Sequence, residues 1–217
     1  MVSRTVVMEN LGDHYAQLLG LQSPWAVKDV DLDLGENRVT IRLEHPNGVS
    51  VRCPECGDEC AIADRAPERR WRHLDTMQFE TQLVAATPRA DCAGCGVKTI
   101  GVPWAGKNSR FTLMFESFAL KVIEASGCVE KARWLLKVGN TANQIMARGV
   151  ERGLARRDAV EIEYVGIDEK SYRKGHSYVS VLNDLDGGRV LEVEEGRTRQ
   201  SADSLWLTLG EGVRGTV

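Results

Sequence analysis

The chain has 217 residues, 42% of them hydrophobic, with 31 acidic against 28 basic side chains and a net charge of −3. These values describe one or two globular units, exclude a disordered or fibrous chain, and give no general cationic attraction to nucleic acid or anionic membrane. No run of about 18 apolar residues is present to span a bilayer, and the N-terminal stretch lacks the apolar centre of a secretory signal, so a cytoplasmic protein with no membrane partner is expected.

Residues 27 to 43 alternate apolar and charged positions around a Gly35-Glu36-Asn37 turn, which predicts a β-hairpin. It leads to Cys53-Pro54-Glu55-Cys56-Gly57, and Cys92-Ala93-Gly94-Cys95-Gly96 repeats the device after 35 intervening residues. Each is a tight turn that aims two thiolates at one centre, with glycine permitting the turn. Two such pairs in a reducing compartment predict a structural zinc ion on Cys53, Cys56, Cys92 and Cys95, with no open position for chemistry. Reduced, metal-free turns or a redox pair are the alternatives. Cys60 and His73 are nearby donors that can substitute for a ligand but read as bystanders. Between the two cysteine pairs lie short strands and turns, enough for a strand pair within a zinc ribbon.

After Pro103 the period becomes helical. Phe111, Phe115, Phe118 and Val122 mark one helix, and Val129, Ala132, Leu135 and Leu136 mark a second beyond Ser126-Gly127. A third starts near Asn140 or Thr141, with Ile145, Met146 and Val150 on its apolar side. Residues 107–157 hold ten basic and four acidic side chains, so positive charge gathers on the helices while the rest of the chain is −9. On the third helix Gln144, Arg148, Arg152 and Arg156 step by four along one face, beside Asn140, Thr141 and Asn143. Such a stripe is either a solvated face or a recognition helix. The order of helix, break, helix, turn and basic helix favours a helix-turn-helix that contacts double-stranded DNA through these residues. On this reading, alanine at Arg148 and Arg152 weakens DNA binding.

Residues 162–168, 178–184 and 189–193 form a predicted three-stranded meander, followed by a short helix from Ser201 to Leu209 with Leu205 and Trp206 on one face. Asp168 ends the first apolar strand and precedes a basic loop bearing Lys170, Arg173, Lys174 and His176. That loop is equally a solvated turn or a set of phosphate contacts, and a lone aspartate is usually structural.

The two cysteine motifs, together with Val165-Gly166-Ile167-Asp168-Glu169-Lys170, Arg173-Lys174-Gly175-His176-Ser177-Tyr178-Val179 and Asn183-Asp184-Leu185, resemble bacterial insertion-sequence transposases of the ISL-three type. The resemblance spans most of the chain. It implies an α+β multi-domain protein: an N-terminal segment and β-hairpin (1–44), a zinc-ribbon-like finger (45–104), a helix-turn-helix (107–157) and an RNase H-like DDE domain beginning at 160–217. It also implies Asp168 as the first acid of the catalytic triad, magnesium or manganese for the complete domain, binding to the element's terminal inverted repeats, self-association, and residence at the bacterial nucleoid. Three carboxylates normally hold the metal pair of such phosphoryl chemistry. Asp184, Asp186, Asp203 and Glu211 do not fall where the family places its second and third acids. The sequence is therefore expected to be the N-terminal part of a transposase with an incomplete active site. The alternative function is a non-catalytic, zinc-dependent DNA binder that competes with or represses transposition.

Overall fold

A computed structural model describes residues 11–156, 162–173, 175 and 177–208, which fall in two compact units, Met1–Ala155 and Arg156–Val217. The first unit starts with a short helix, α1 (Leu11–Leu18), and the expected hairpin, β1 (Ala26–Asp33) and β2 (Arg38–Glu44). The turn is fixed by the Glu36 amide donating to Asp33 Oδ1 and by Asn37 in the left-handed region. Two short strands follow, β3 (Val51–Arg52) and β4 (Glu59–Arg65), then β5 (Arg69–Arg72), β6 (Glu80–Ala85), β7 (Pro88–Cys92) and β8 (Gly96–Thr99).

The hairpin is not a separate N-terminal piece. Its second strand pairs in parallel with β6, giving a four-stranded sheet in the order β1-β2-β6-β5, while β3-β4-β7-β8 form a second sheet. The chain thus leaves the second sheet after β4, adds β5 and β6 to the first, and returns to complete the second with β7 and β8. This excursion accounts for the long spacing between the cysteine pairs. It is driven by burial: Val30, Ile41, Leu83 and Trp71 lie in register across the four strands, and the last three are fully buried. Trp104 packs edge-on against both Trp25 and Trp71, at 4.7 and 5.5 Å, closing that core.

Three helices complete the unit: α2 (Leu113–Ser126), α3 (Val129–Leu136) and, after a 3-10 turn at Gly139–Thr141, α4 (Ala142–Ala155). Thr112 caps α2 by accepting the Phe115 amide, and Gly127 ends it in the left-handed conformation. The helical core is Phe111, Phe115, Ala119, Ile123, Ala132, Leu136, Ala142 and Ile145. Phe118, expected inside, is half exposed, and Met146 and Val150, expected on the apolar side of α4, face outward. The inner face of α4 is instead Ala142, Ile145, Gly149 and the two arginines Arg148 and Arg152. Both guanidiniums turn inward because Glu116 on α2 is fully buried and needs a counter-charge. Gly149 packs against the Leu120 side chain: a Cβ there would lie 2.6 Å from Leu120 Cδ1, so any larger residue would require Leu120 to move.

The second unit is an antiparallel meander in the order β11-β10-β9, made of β9 (Val165–Arg173), β10 (Ser177–Asp184) and β11 (Arg189–Glu195), followed by α5 (Arg199–Thr208). Leu205 of α5 is fully buried against Leu182 of β10, with Val165, Leu191 and Trp206 around them. Leu205 is therefore part of the core of this unit. The cap of α5 is Thr198, which accepts the Ser201 amide, and Ser201 is buried with its hydroxyl donating to the Glu195 carbonyl. Leu209 and Glu211 lie outside the described residues.

Candidate functional site: a four-cysteine centre and a basic helical unit

Cys53 follows β3 and Cys56 closes the first turn; Cys92 ends β7 and Cys95 precedes β8. Gly57 and Gly96, directly after the second cysteine of each pair, have φ of +82° and +72°, a conformation that glycine adopts without a Cβ penalty. The Cys53 amide donates to Asp58 O and the Gly57 amide to Cys53 O, which folds the first turn back on itself. The four Sγ atoms all lie within 4.8 Å of one another, and Cys56 Sγ is 3.6 Å from Cys92 Sγ. A tetrahedron of sulfurs each about 2.3 Å from zinc has edges of about 3.8 Å, so the spacing and the soft donor set both fit zinc. The backbone N–H of Cys95, then the Cys56 thiol and the N–H of Gly94, hold Cys92 down to about 7, favouring the thiolate that a metal needs. Cys53, Cys56, Cys92 and Cys95 together compose a structural zinc centre with no position left for substrate.

The two bystanders stay outside it. Cys60 is buried in the strand next to Val51, where desolvation raises its thiol. His73 lies against the cap of α2, with Nδ1 2.9 Å from Thr112 Oγ1. Because that oxygen already accepts the Phe115 amide, its proton is free to be donated to Nδ1. Burial, and then the Arg72 charge, lower His73 to about 4, so the ring stays neutral near pH 7.

The residues expected at DNA divide into two groups. Asn140, Asn143 and Gln144 are exposed at the start of α4, with Thr141 half buried and its hydroxyl donating to the Val138 carbonyl. Arg156 is exposed just beyond the helix end. Arg148 and Arg152 have a different environment: Arg148 Nη2 and Nε lie 2.7 and 2.9 Å from Glu116 Oε1, and Arg152 Nη1 is 2.7 Å from Oε2. Ser109 Oγ also donates to Glu116 Oε1, at 2.8 Å. Sequence periodicity puts these two arginines on the solvent side, because their counter-ion on another helix is 32 residues from Arg148 and 36 from Arg152.

In the second unit Asp168 is exposed and sits within β9, paired with Val181, rather than at the strand end. The strand runs on to Arg173, extending the ladder past the expected turn. Asp168 Oδ1 accepts the Glu169 amide, and exposed Lys170 shares its face of the strand. Lys174 and His176 lie outside the described residues. Asp184 is buried at the β10–β11 turn, accepting the Gly187 amide and pairing with Arg189 at 2.9 Å, contacts that lower its pKa. It organises the turn. A DDE domain implies a divalent magnesium or manganese ion, but among the described residues the cysteines are the one group of three or more close donors. Asp168 is therefore not part of a group of three donors among the described residues. No helix among them is long and apolar enough to cross a membrane.

Comparison with known proteins gives both domains a family. Residues 50–99 match the zinc-finger of transposase IS204/IS1001/IS1096/IS1165, and residues 165–217 match the ISL-three DDE transposase model. The transposase for insertion sequence element IS1557, from two strains of Mycobacterium tuberculosis, is 29% identical over 204 residues, covering 90% of this chain and 46% of the relative. The transposase for insertion sequence element IS1001 of Bordetella parapertussis is 26% identical over 168 residues, covering 77% of this chain and 41% of the relative. The chain thus spans about half the length of the curated relatives it matches. No solved structure matches it. With a four-cysteine zinc ribbon and a DDE segment in that order, and with relatives aligned across most of its length, this chain is similar to the ISL-three-type insertion-sequence transposases.

Proposed function

We propose that the chain supplies the DNA-recognition part and the first strands of the catalytic domain of an insertion-sequence transposase. The observation that carries this reading is the pairing of a zinc ribbon with a DDE segment on either side of a helical unit of net charge +6. In this reading α2, α3 and α4 (within 107–157) are a helix-turn-helix, whose recognition helix α4 presents Asn140, Asn143 and Gln144 to base edges and Arg156 to phosphate. Thr141 shapes the entry turn, while Arg148 and Arg152 hold the helix in place. The target is duplex DNA at the element's terminal inverted repeats, engaged by self-associated copies at the nucleoid.

The second unit is read as the opening of an RNase H-like fold, with β9 carrying the first catalytic acid, Asp168. Lys170, and with it Arg173, Lys174 and His176, would neutralise DNA phosphate beside that acid. The direct test compares Asp168→Asn with the unchanged sequence in a protein carrying the complete DDE domain. Strand cleavage with magnesium or manganese should fall by several orders of magnitude while DNA affinity is kept; retained cleavage would remove Asp168 from the active site.

A second reading is a zinc-dependent DNA binder without catalysis. It draws on the four-cysteine centre and the helical unit of net charge +6, neither of which needs Asp168. The chain by itself should then shift duplex DNA in a salt-sensitive manner and leave it uncut with either metal. Metal-dependent cutting by this chain would exclude that reading.

A further inference from the structure

The segment joining the β-sheet to the helices builds a basic cleft that the helix-turn-helix reading leaves unused. The Arg72 amide donates to Arg110 O at 2.8 Å and the Thr112 amide to Arg72 O at 3.0 Å, so residues 110–112 lie along the free edge of β5. This places Arg110 beside Arg70, an edge-strand residue on the same face as Arg72. The turn between α3 and α4 closes the other side with Lys137, held at a positive φ of 53°, and Thr141. The result is a cleft of about 340 Å³ whose lining holds four cations, Arg70, Arg72, Arg110 and Lys137, and one acid, Glu80.

The charges are not balanced internally. Arg72 is engaged with Asp75 and Glu80 and stacks over Phe115, and Glu80 also accepts a hydrogen bond from Gln82. Arg70, Arg110 and Lys137 are exposed and have no acidic partner among the described residues. Three cations from three separate chain segments, two of them fixed by backbone pairing along the β5 edge and the third by the C-cap of α3, suit a ligand with closely spaced, repeating negative charge. A DNA backbone is such a ligand, with one charge per about 1.7 Å of duplex axis. The cleft adjoins the 3-10 turn that enters α4, so a strand crossing it continues toward the exposed Asn143 and Gln144.

We propose that Arg70, Arg110 and Lys137 form a phosphate clamp that grips the DNA backbone next to the base-reading end of α4. The clamp rests on the DNA-binding reading and adds to it a contact from outside the helices. It positions and strengthens, without sequence preference, because phosphates carry no base identity.

The test uses the whole zinc-loaded chain and two duplexes of equal length and unrelated sequence, with binding followed by fluorescence anisotropy across about 50–200 mM salt. Each lost phosphate contact should reduce the slope of log affinity against log salt by about 0.9, so Arg70→Gln, Arg110→Gln and Lys137→Gln combined should reduce it by roughly 2–3 on both duplexes. The charge-keeping pair Arg70→Lys and Arg110→Lys should retain the slope. Zinc content and thermal melting of each variant confirm folding, and the single variants, each expected to lose about one unit of slope, serve if the triple variant is unstable. An unchanged slope with intact binding overturns the clamp alone. A loss confined to one duplex also overturns it, since that is base reading. If the unchanged chain binds neither duplex, the DNA-binding reading fails and the clamp with it.

Discussion

Replacing Glu116 with alanine removes the one carboxylate that two arginines and Ser109 share inside the helical unit. The carboxylate is 0% exposed, whereas the Arg148 and Arg152 side chains retain 24% and 33% exposure. Breaking a fully buried ion pair costs about 3–5 kcal/mol, because the stranded charge has lost its water without keeping its partner. Here solvent reaches part of both guanidiniums, and a loss of about 2–4 kcal/mol is expected. For a chain of this size about 3 kcal/mol lowers Tm by roughly 6–12 °C, readable by circular dichroism at 222 nm. A double-mutant cycle between Glu116→Ala and Arg152→Ala should give a coupling of about 1–2 kcal/mol. A stability change under about 0.5 kcal/mol for Glu116→Ala, or additive behaviour in the cycle, would refute the inward assignment. The same logic changes what Arg148→Ala and Arg152→Ala mean for DNA: any loss of binding should track unfolding. Binding corrected for the folded fraction should stay near that of the unchanged chain.

Two other outcomes follow from the structure. Chelation should release one zinc per chain, as Cys92→Ser should prevent its uptake. Since β5 and β6 leave from and return to the ribbon, metal loss should also shift tryptophan emission to the red as the Trp25, Trp71 and Trp104 core loosens; unchanged emission after zinc release would show a sheet that stands without the ribbon. His73 is lowered to about 4, by burial first and then by Arg72, against about 6.5 in the unfolded chain. The unfolded state therefore takes up the extra proton, and the stability tied to the neutral ring is complete above pH 6.5 and lost as pH falls toward 4. The loss is about 3 kcal/mol once pH is well below 4. His73→Gln should flatten that part of the stability curve, with zinc-ligand protonation common to both proteins; parallel curves would remove His73 as the cause.

Local chemistry was legible in the sequence because it depends on neighbours along the chain. The cysteine turns need only two thiols at i and i+3 with glycine following, and the hairpin needs only alternation around Gly35-Glu36-Asn37. The break at Gly127 and the meander after 162 are signals of the same kind. Where tertiary partners intervened, the local pattern misled. Met146 and Val150 look like a core face beside Ile145, and Arg148 and Arg152 look like a solvent stripe, until buried Glu116 and Leu120 on α2 claim the opposite side of α4. Asp168 read as a strand end because the charged residues after it break the apolar pattern, yet the ladder to β10 continues through Arg173.

The zinc ligands, the order of strand and helical regions, and the gathering of positive charge on residues 107–157 can all be read along the chain. Three features emerge from the fold alone: the N-terminal hairpin shares a sheet with β5 and β6, α4 buries its arginine side, and Arg70, Arg110 and Lys137 meet at one cleft. The reason is sequence distance: the parallel pairing of β2 with β6, the ion pairs of Glu116 and the bridge from Arg72 to Phe111 each join residues about thirty or more positions apart, and no window along the chain contains both partners.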